Sequence, residues 1–180
     1  MSKKVLLIST SLRAHSNSEV LADAFLAGAG DAGNVIEKIS LKGKSLAFCK
    51  GCLSCIQTGK CVISDDAVEI AERMRNAEVI AFATPNYYYE MSGQMKTLLD
   101  RMNPMYPMDY AFRDIYMIAT AAEDEESTFE KAYNGLQGWV DCFEKAQLKG
   151  IVTGGGIGDA NDAANHTDAM KKAYELGLSL

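Results

Sequence analysis

The sequence predicts an α/β fold, a five-stranded parallel sheet with helices on both faces. Three observations carry the prediction. Short apolar runs alternate five times with longer stretches of helical periodicity, and parallel neighbours need such long crossovers. Val5–Ile8 and Val79–Ala83 are apolar throughout, as strands buried on both faces are. The run from Val35 to Leu41 carries Glu37 and Lys38, which suits an edge of the sheet.

Taken in order, Val5-Leu6-Leu7-Ile8 is the first strand. A helix follows from about Asn17, with Leu21, Ala24, Phe25 and Gly28 on one stripe. Val35–Leu41 is the second strand, and Asp65 caps a helix whose stripe is Ile70, Ala71 and Met74. Val79–Ala83 is the third strand, followed by the stripe Met95, Leu98, Leu99 and Met102. Ile115–Thr120 is the fourth, with Phe129, Ala132, Tyr133, Leu136, Val140 and Phe143 marking a long helix behind it. Leu148–Val152 is the second edge strand, and Ala169, Met170, Ala173, Leu176 and Gly177 close the chain helically.

Composition bounds the rest. With 180 residues, 48% of them hydrophobic, the chain can bury one core, so residues 1–180 are read as one domain. Eighteen basic against 24 acidic residues give a net charge of −6, which argues against nucleic acid as a partner. No apolar run reaches the roughly 18–20 residues of a membrane span, and Val5–Ile8 is too short for a signal-peptide core. A cytoplasmic location is expected. Five cysteines, an odd count, also fit poorly with a secreted disulfide scaffold.

In a doubly wound sheet, ligands sit outside the carboxyl ends of the strands. After the first strand, Ser11, Arg13, Ser16, Asn17 and Ser18 converge on a helix start, whose free N–H groups suit a phosphate. The same residues also suit a capping turn with no ligand. There is no GxGxxG fingerprint and no Walker lysine. After the third strand, Tyr87-Tyr88-Tyr89 cannot all enter one core; they suit a flat ligand or a subunit interface. After the fifth, Gly154-Gly155-Gly156 admits a close ligand or a flexible turn.

Thr10-Ser11-Leu12-Arg13, Ser16-Asn17-Ser18, Thr84-Pro85-Asn86-Tyr87-Tyr88-Tyr89 and the stretch from Gln94-Met95-Lys96 to Asp100-Arg101 together resemble the flavodoxin-like NAD(P)H-dependent FMN reductase family. The resemblance covers essentially the whole chain. It implies a flavodoxin-like three-layer sandwich with strand order 2-1-3-4-5, bound FMN, NAD(P)H as co-substrate, and a homodimer or homotetramer. It implies that Ser11, Arg13, Ser16, Asn17 and Ser18 hold the FMN phosphate. Pro85, Asn86, Tyr87 and Tyr88 would flank the isoalloxazine, with the backbone of Thr120 and Ala121 along its pyrimidine edge. Hydride would pass from NAD(P)H to the flavin and electrons onward to a small acceptor such as a quinone or flavin. The flavin carries that chemistry, so no catalytic side chain is assigned. The sequence departs from the family pattern at Thr10, Leu12 and Ser16, where Gly, Pro and Gly are usual. Thr10 narrows the room for a close backbone approach.

Cys49, Cys52, Cys55 and Cys61 stand in a cysteine-rich insertion at about residues 42–64, with spacing x2, x2, x5. The spacing resembles the motif of iron–sulfur flavoproteins, in which four thiolates hold a [4Fe–4S] cluster and the protein serves as an electron carrier. Similar loops in the wider family hold no cluster, and Val62, not Pro, follows Cys61. The expectation is an empty or reversibly oxidised loop, with a cluster or zinc as the alternatives. Cys142 is expected in the core, and Met91, Met95, Met102, Met105 and Met108 in core or dimer packing ahead of a substrate wall. A phosphoacceptor receiver module needs acidic residues where Ser9-Thr10 and Thr84-Pro85 stand, and is set aside.

Overall fold

In the computed structural model, which describes residues 2–180, the five apolar runs form one parallel sheet. Its strands are β1 (Lys4–Ser9), β2 (Val35–Ser40), β3 (Val79–Tyr87), β5 (Asp114–Thr120) and β6 (Gln147–Gly154), in the order β2-β1-β3-β5-β6. Counted without the two-residue β4 (Glu90–Met91), which pairs antiparallel with the tip of β3, this is the expected 2-1-3-4-5.

The period-2 alternation of the strands sorts their side chains into two cores. Leu6, Ile8, Ile80, Phe82, Ile115 and Met117 face one side, covered by α3 (Asp66–Asn76), α4 (Gly93–Asp100) and α5 (Glu130–Val140). Val5, Leu7, Val79, Ala81, Tyr116 and Ile118 face the other, under α1 (Asn17–Asp31) and α6 (Thr167–Leu178). On that second face α1 and α6 touch backbone to backbone. A Cβ on Gly28 would lie 2.1 Å from the Tyr174 carbonyl oxygen, and one on Gly177 would lie 2.0 Å from that of Phe25.

Asp65 caps α3 as expected, accepting from the Ala67 amide at 3.2 Å. Met91, Met95, Met102 and Met105 are buried in the core, whereas Met108 is half-buried and lines a surface hollow beside Arg75. Within the cysteine insertion, Ser54–Thr58 forms a short helix, α2. Two local expectations are corrected. The strand expected to end at Ala83 runs on to Tyr87, where β4 folds back on it. Cys142 is exposed rather than in the core, because α5 stops at Val140 and turns Cys142 outward.

Candidate functional site

Strand order reverses at β1, which sends the chain to β2 on one side and β3 on the other, so a crevice opens beyond the carboxyl ends of β1 and β3. Thr10 sits at its base, fully buried. Its hydroxyl donates to the Ala83 carbonyl at 2.9 Å and lies 3.0 Å from Ser92 Oγ. A bulkier residue than glycine is accommodated because its side chain turns inward and ties β1 to β3, leaving the crevice clear.

Above it the loop presents three buried hydroxyls, those of Ser11, Ser16 and Ser18. Ser16 is the N-cap of α1, yet its side chain caps no helix amide and instead pairs with the Ser18 hydroxyl, Oγ to Oγ 3.0 Å. The first backbone bond of the helix runs from Val20 N to Ser16 O at 3.0 Å. The amides of Asn17, Ser18 and Glu19 therefore open from the helix end without intrahelical acceptors. Free amides, hydroxyls and the positive end of the dipole together make an anion cradle.

Arg13 and Asn17 have other engagements. Arg13 Nη1 donates to the Gly158 carbonyl at 2.9 Å. Asn17 Nδ2 donates to the Asp159 carbonyl at 2.7 Å and to that of Ile157 at 3.3 Å, while its Oδ1 accepts from Ala163 N at 3.1 Å. These two side chains fasten the 157–163 loop against the cradle as a side wall. The glycine run before that loop is a close-packed turn: a Cβ on Gly155 would lie 2.7 Å from Asp124 Cα.

On the other side, Pro85 and Asn86 continue β3, and Tyr88-Tyr89 form a two-residue hairpin turn to β4. Both tyrosines have positive φ, 53° and 67°, where asparagine and glycine are the usual residues. A left-handed conformation costs a side-chain-bearing residue about 1–2 kcal/mol. Tyr88 projects almost entirely into solvent, at 98% exposure. The Tyr89 hydroxyl donates to Glu123 Oε1 at 3.1 Å, and that bond to a carboxylate pushes the phenol's pKa up. Asn86 Nδ2 donates to the Thr128 carbonyl at 2.9 Å, but Asn86 Oδ1 and Thr128 Oγ1 are buried with no partner. Both residues line a hollow of about 230 Å³ between the Tyr88-Tyr89 turn and Ala121–Glu123. Thr120 is buried at the end of β5, and Ala121 closes the strand ends by donating to the Gly154 carbonyl at 3.0 Å.

An anion cradle on one strand end and a hollow with an unpaired acceptor and hydroxyl beside an aromatic turn on the next match the two ends of FMN. The phosphate needs donors, and the pyrimidine edge needs both donors and acceptors. The residues present fit that group.

The cysteine insertion lies on the α3–α4 face. Cys49 and Cys52 are exposed, Cys61 is half-buried, and Cys55, on α2, is buried. Burial pushes the Cys55 thiol up, reinforced by Cys61, Cys52 and Cys49 in turn, whereas the bond from the Ser54 backbone draws Cys52 down. Among the described residues no three metal-ligating side chains are brought together. The insertion is held by Arg101, a residue the sequence showed only as part of a helix motif. Its side chain is wholly buried and pairs with both Asp65 oxygens, at 2.7 and 2.8 Å. It also donates to the carbonyls of Ala47 at 2.7 Å and Ile63 at 3.3 Å, the two stems of the cysteine segment.

The fold and the crevice thus define a flavin-binding α/β protein. A family model described as NADPH-dependent FMN reductase matches residues 3–131, and the chain belongs to that family. The resemblance read from the sequence is borne out, and FMN is the cofactor that membership carries. An iron-sulfur flavoprotein of Archaeoglobus fulgidus is 34% identical over 92 residues, 51% of this chain and 42% of that protein. The chain therefore spans less than half the length of that relative. An iron-sulfur flavoprotein of Methanosarcina thermophila is 29% identical over 178 residues, 98% of this chain and 93% of the relative. Among solved structures, an NAD(P)H:quinone oxidoreductase from Methanothermobacter marburgensis superposes with a TM-score of 0.79 at 18% identity, covering 99% of this chain and 96% of the other. At that identity the likeness is one of fold. Among the described residues no helix is long and apolar enough to cross a membrane.

Proposed function

We propose that this chain passes electrons from NAD(P)H through FMN to a small acceptor such as a quinone or a flavin. The observation that carries the reading is the α1 cradle of buried serines and open amides beside the unpaired Asn86 and Thr128 atoms. When bound there, FMN would supply the hydride-accepting and electron-donating chemistry. The chain's part is to bind and orient. Ser11, Ser16 and Ser18 donate to the phosphate, while Arg13 and Asn17 hold the side wall. Pro85, Asn86, Tyr87 and Tyr88 border the ring, and the Thr120–Ala121 backbone lines its edge. A groove of about 580 Å³ running from Leu12 past Phe48 to Gln94 gives the acceptor and nicotinamide an approach beside the first loop.

The test is a titration of flavin-free protein with FMN and with riboflavin. Fluorescence quenching should report FMN affinity in the micromolar range or better, with riboflavin at least about tenfold weaker, since a charged hydrogen bond is worth about 1.5–3 kcal/mol. No quenching by FMN, or equal affinity for riboflavin, would overturn the reading.

A second reading, an electron carrier with FMN and a [4Fe–4S] cluster, is favoured by one observation. The four thiols lie in a single segment whose stems one guanidinium holds together. Cys49, Cys52, Cys55 and Cys61 would be the ligands. About four irons per chain after anaerobic purification, lost in Cys52→Ser, would establish it; no iron would reject it. Tyr106, Tyr88 and Phe48, all exposed, further support a homodimer or homotetramer. A single-chain mass by light scattering would contradict that.

A further inference from the structure

Thr10, Thr84 and Ser92 are fully buried, and their side chains meet where the ends of β1 and β3 adjoin the start of α4. The Thr10 amide and hydroxyl both donate to the Ala83 carbonyl, each at 2.9 Å. A hydroxyl has one proton, so the 3.0 Å bond between Thr10 and Ser92 has a direction: Ser92 Oγ donates and Thr10 Oγ1 accepts. Ser92 Oγ also accepts from Met95 N at 3.3 Å, capping α4. The Ser92 amide donates to Thr84 Oγ1 at 3.0 Å, and that hydroxyl in turn donates to the Pro85 carbonyl at 2.9 Å. Each of the three hydroxyls both donates and accepts within this chain of bonds, and none has a proton left for a ligand.

The bonds join two parts of the crevice that lie 82 residues apart in the chain. Thr10 leads directly into the serine loop, one residue before Ser11. Thr84 and Ser92 stand at the two feet of the β3–β4 hairpin, in which Asn86 pairs with Met91 and Tyr88-Tyr89 form the tip. The bond from Ser92 N to Thr84 ties the feet together, and the bond from Ser92 Oγ to Thr10 ties them to the loop. We propose that Thr10 is a positioning residue whose hydroxyl, through Ser92, sets the spacing between the anion cradle and the tyrosine hairpin, so that one ligand meets both. The inference rests on the FMN reading of the crevice and adds to it a residue whose hydroxyl is spent entirely inside the protein. A ligand held at two ends gains from the second contact only when the spacing is right. Riboflavin shares the ring of FMN and lacks the phosphate, so the ratio of the two affinities reports that spacing. A mere loss of folded protein weakens both ligands alike and leaves the ratio in place.

The flavin-free full chain is titrated with FMN and with riboflavin, followed by quenching of flavin fluorescence, as wild type, Thr10→Val, Thr10→Ser, Ser92→Ala and the double variant Thr10→Val with Ser92→Ala. Valine keeps the shape of threonine without its hydroxyl, and the Ala83 carbonyl keeps its bond from the amide at position 10, so no buried carbonyl is orphaned. In Thr10→Val the preference for FMN over riboflavin should fall about tenfold, with riboflavin affinity within about twofold of wild type. Thr10→Ser, which keeps the hydroxyl, should keep the wild-type preference. Ser92→Ala should lower the preference as Thr10→Val does, and the double variant should lower it no further, because both changes cut the same bond. A preference that survives in Thr10→Val, or that falls as far in Thr10→Ser, overturns the proposal. So does a double variant whose loss is the product of the two single losses. Wild-type protein with no preference for FMN would overturn the FMN reading and the inference with it, whereas a wild-type preference unmoved by Thr10→Val overturns the inference alone.

Discussion

Replacing Asp65 with alanine is expected to destabilise the flavin-free protein by about 3–5 kcal/mol. The carboxylate accepts from Ala67 N at 3.2 Å, from Ala47 N at 2.8 Å and from both Nη atoms of Arg101 at 2.7 and 2.8 Å. Loss of the α3 cap alone costs about 1 kcal/mol. The larger effect is on Arg101, whose wholly buried charge would lose its counter-ion, a change worth about 3–5 kcal/mol. The two losses share one side chain and are not summed. Against a total stability of about 5–15 kcal/mol, the effect is large. Hydrogen bonding from Arg101 holds the Asp65 carboxyl below the usual carboxylate range. Its folded pKa is thus depressed, so the stabilisation is complete above the unfolded value of about 3.9 and is lost as pH falls through the folded value. The difference between wild type and Asp65→Ala should be flat from about pH 5 to 8 and should close in stronger acid. Urea unfolding followed by Trp139, the single tryptophan, packed 4.7 Å from Phe143, measures it directly. A loss under about 1 kcal/mol at pH 7, or a difference that widens in acid, would refute the reasoning.

Two further outcomes follow from backbone geometry. Gly28→Ala places its Cβ 2.1 Å from the Tyr174 carbonyl oxygen and 2.8 Å from Leu178 N, neither of which can rotate away. Despite the better helix propensity of alanine, a net loss of about 1–3 kcal/mol is expected, and a melting temperature at or above wild type would disprove the close α1–α6 contact. Tyr88→Gly should relieve about 1–2 kcal/mol at φ 53°, raising the melting temperature while slowing turnover with a quinone. Unchanged turnover would show that the exposed ring has no part in the reaction.

The strands were legible because periodicity is a local signal, whereas their order came from the family resemblance, since pairing joins strands far apart in the chain. Leu6 and Ile8 alternate with Val5 and Leu7, and each set goes to its own core. Asp65 was legible as a cap for the same reason, since its partner, the Ala67 amide, is two residues away. What stayed hidden depended on partners far along the chain. Arg101 reaches Asp65 across 36 residues and Ala47 across 54, so the sequence shows an Asp-Arg pair ending a helix and nothing of the clamp. The conformation of Tyr88 and Tyr89 was hidden too, because the residues that normally announce a left-handed turn are absent.

Asn17 shows why site residues are harder to read than elements. An asparagine amide at a helix start can bond a ligand's phosphate or a neighbouring carbonyl equally well, and nothing within ten residues distinguishes the two. In the structure the amide takes the carbonyl of Asp159, 142 residues later, at 2.7 Å from Nδ2. The residue types of the cradle are set locally, but the partners of Arg13 and Asn17 are set by a loop far along the chain. Arg13 and Asn17 take the carbonyls of the 157–163 loop, while the hydroxyls of Ser16 and Ser18 bond only to each other and that of Ser11 accepts from the Arg13 amide. On the proposed reading, a substitution that frees that loop should weaken FMN binding without changing Ser11, Ser16 or Ser18.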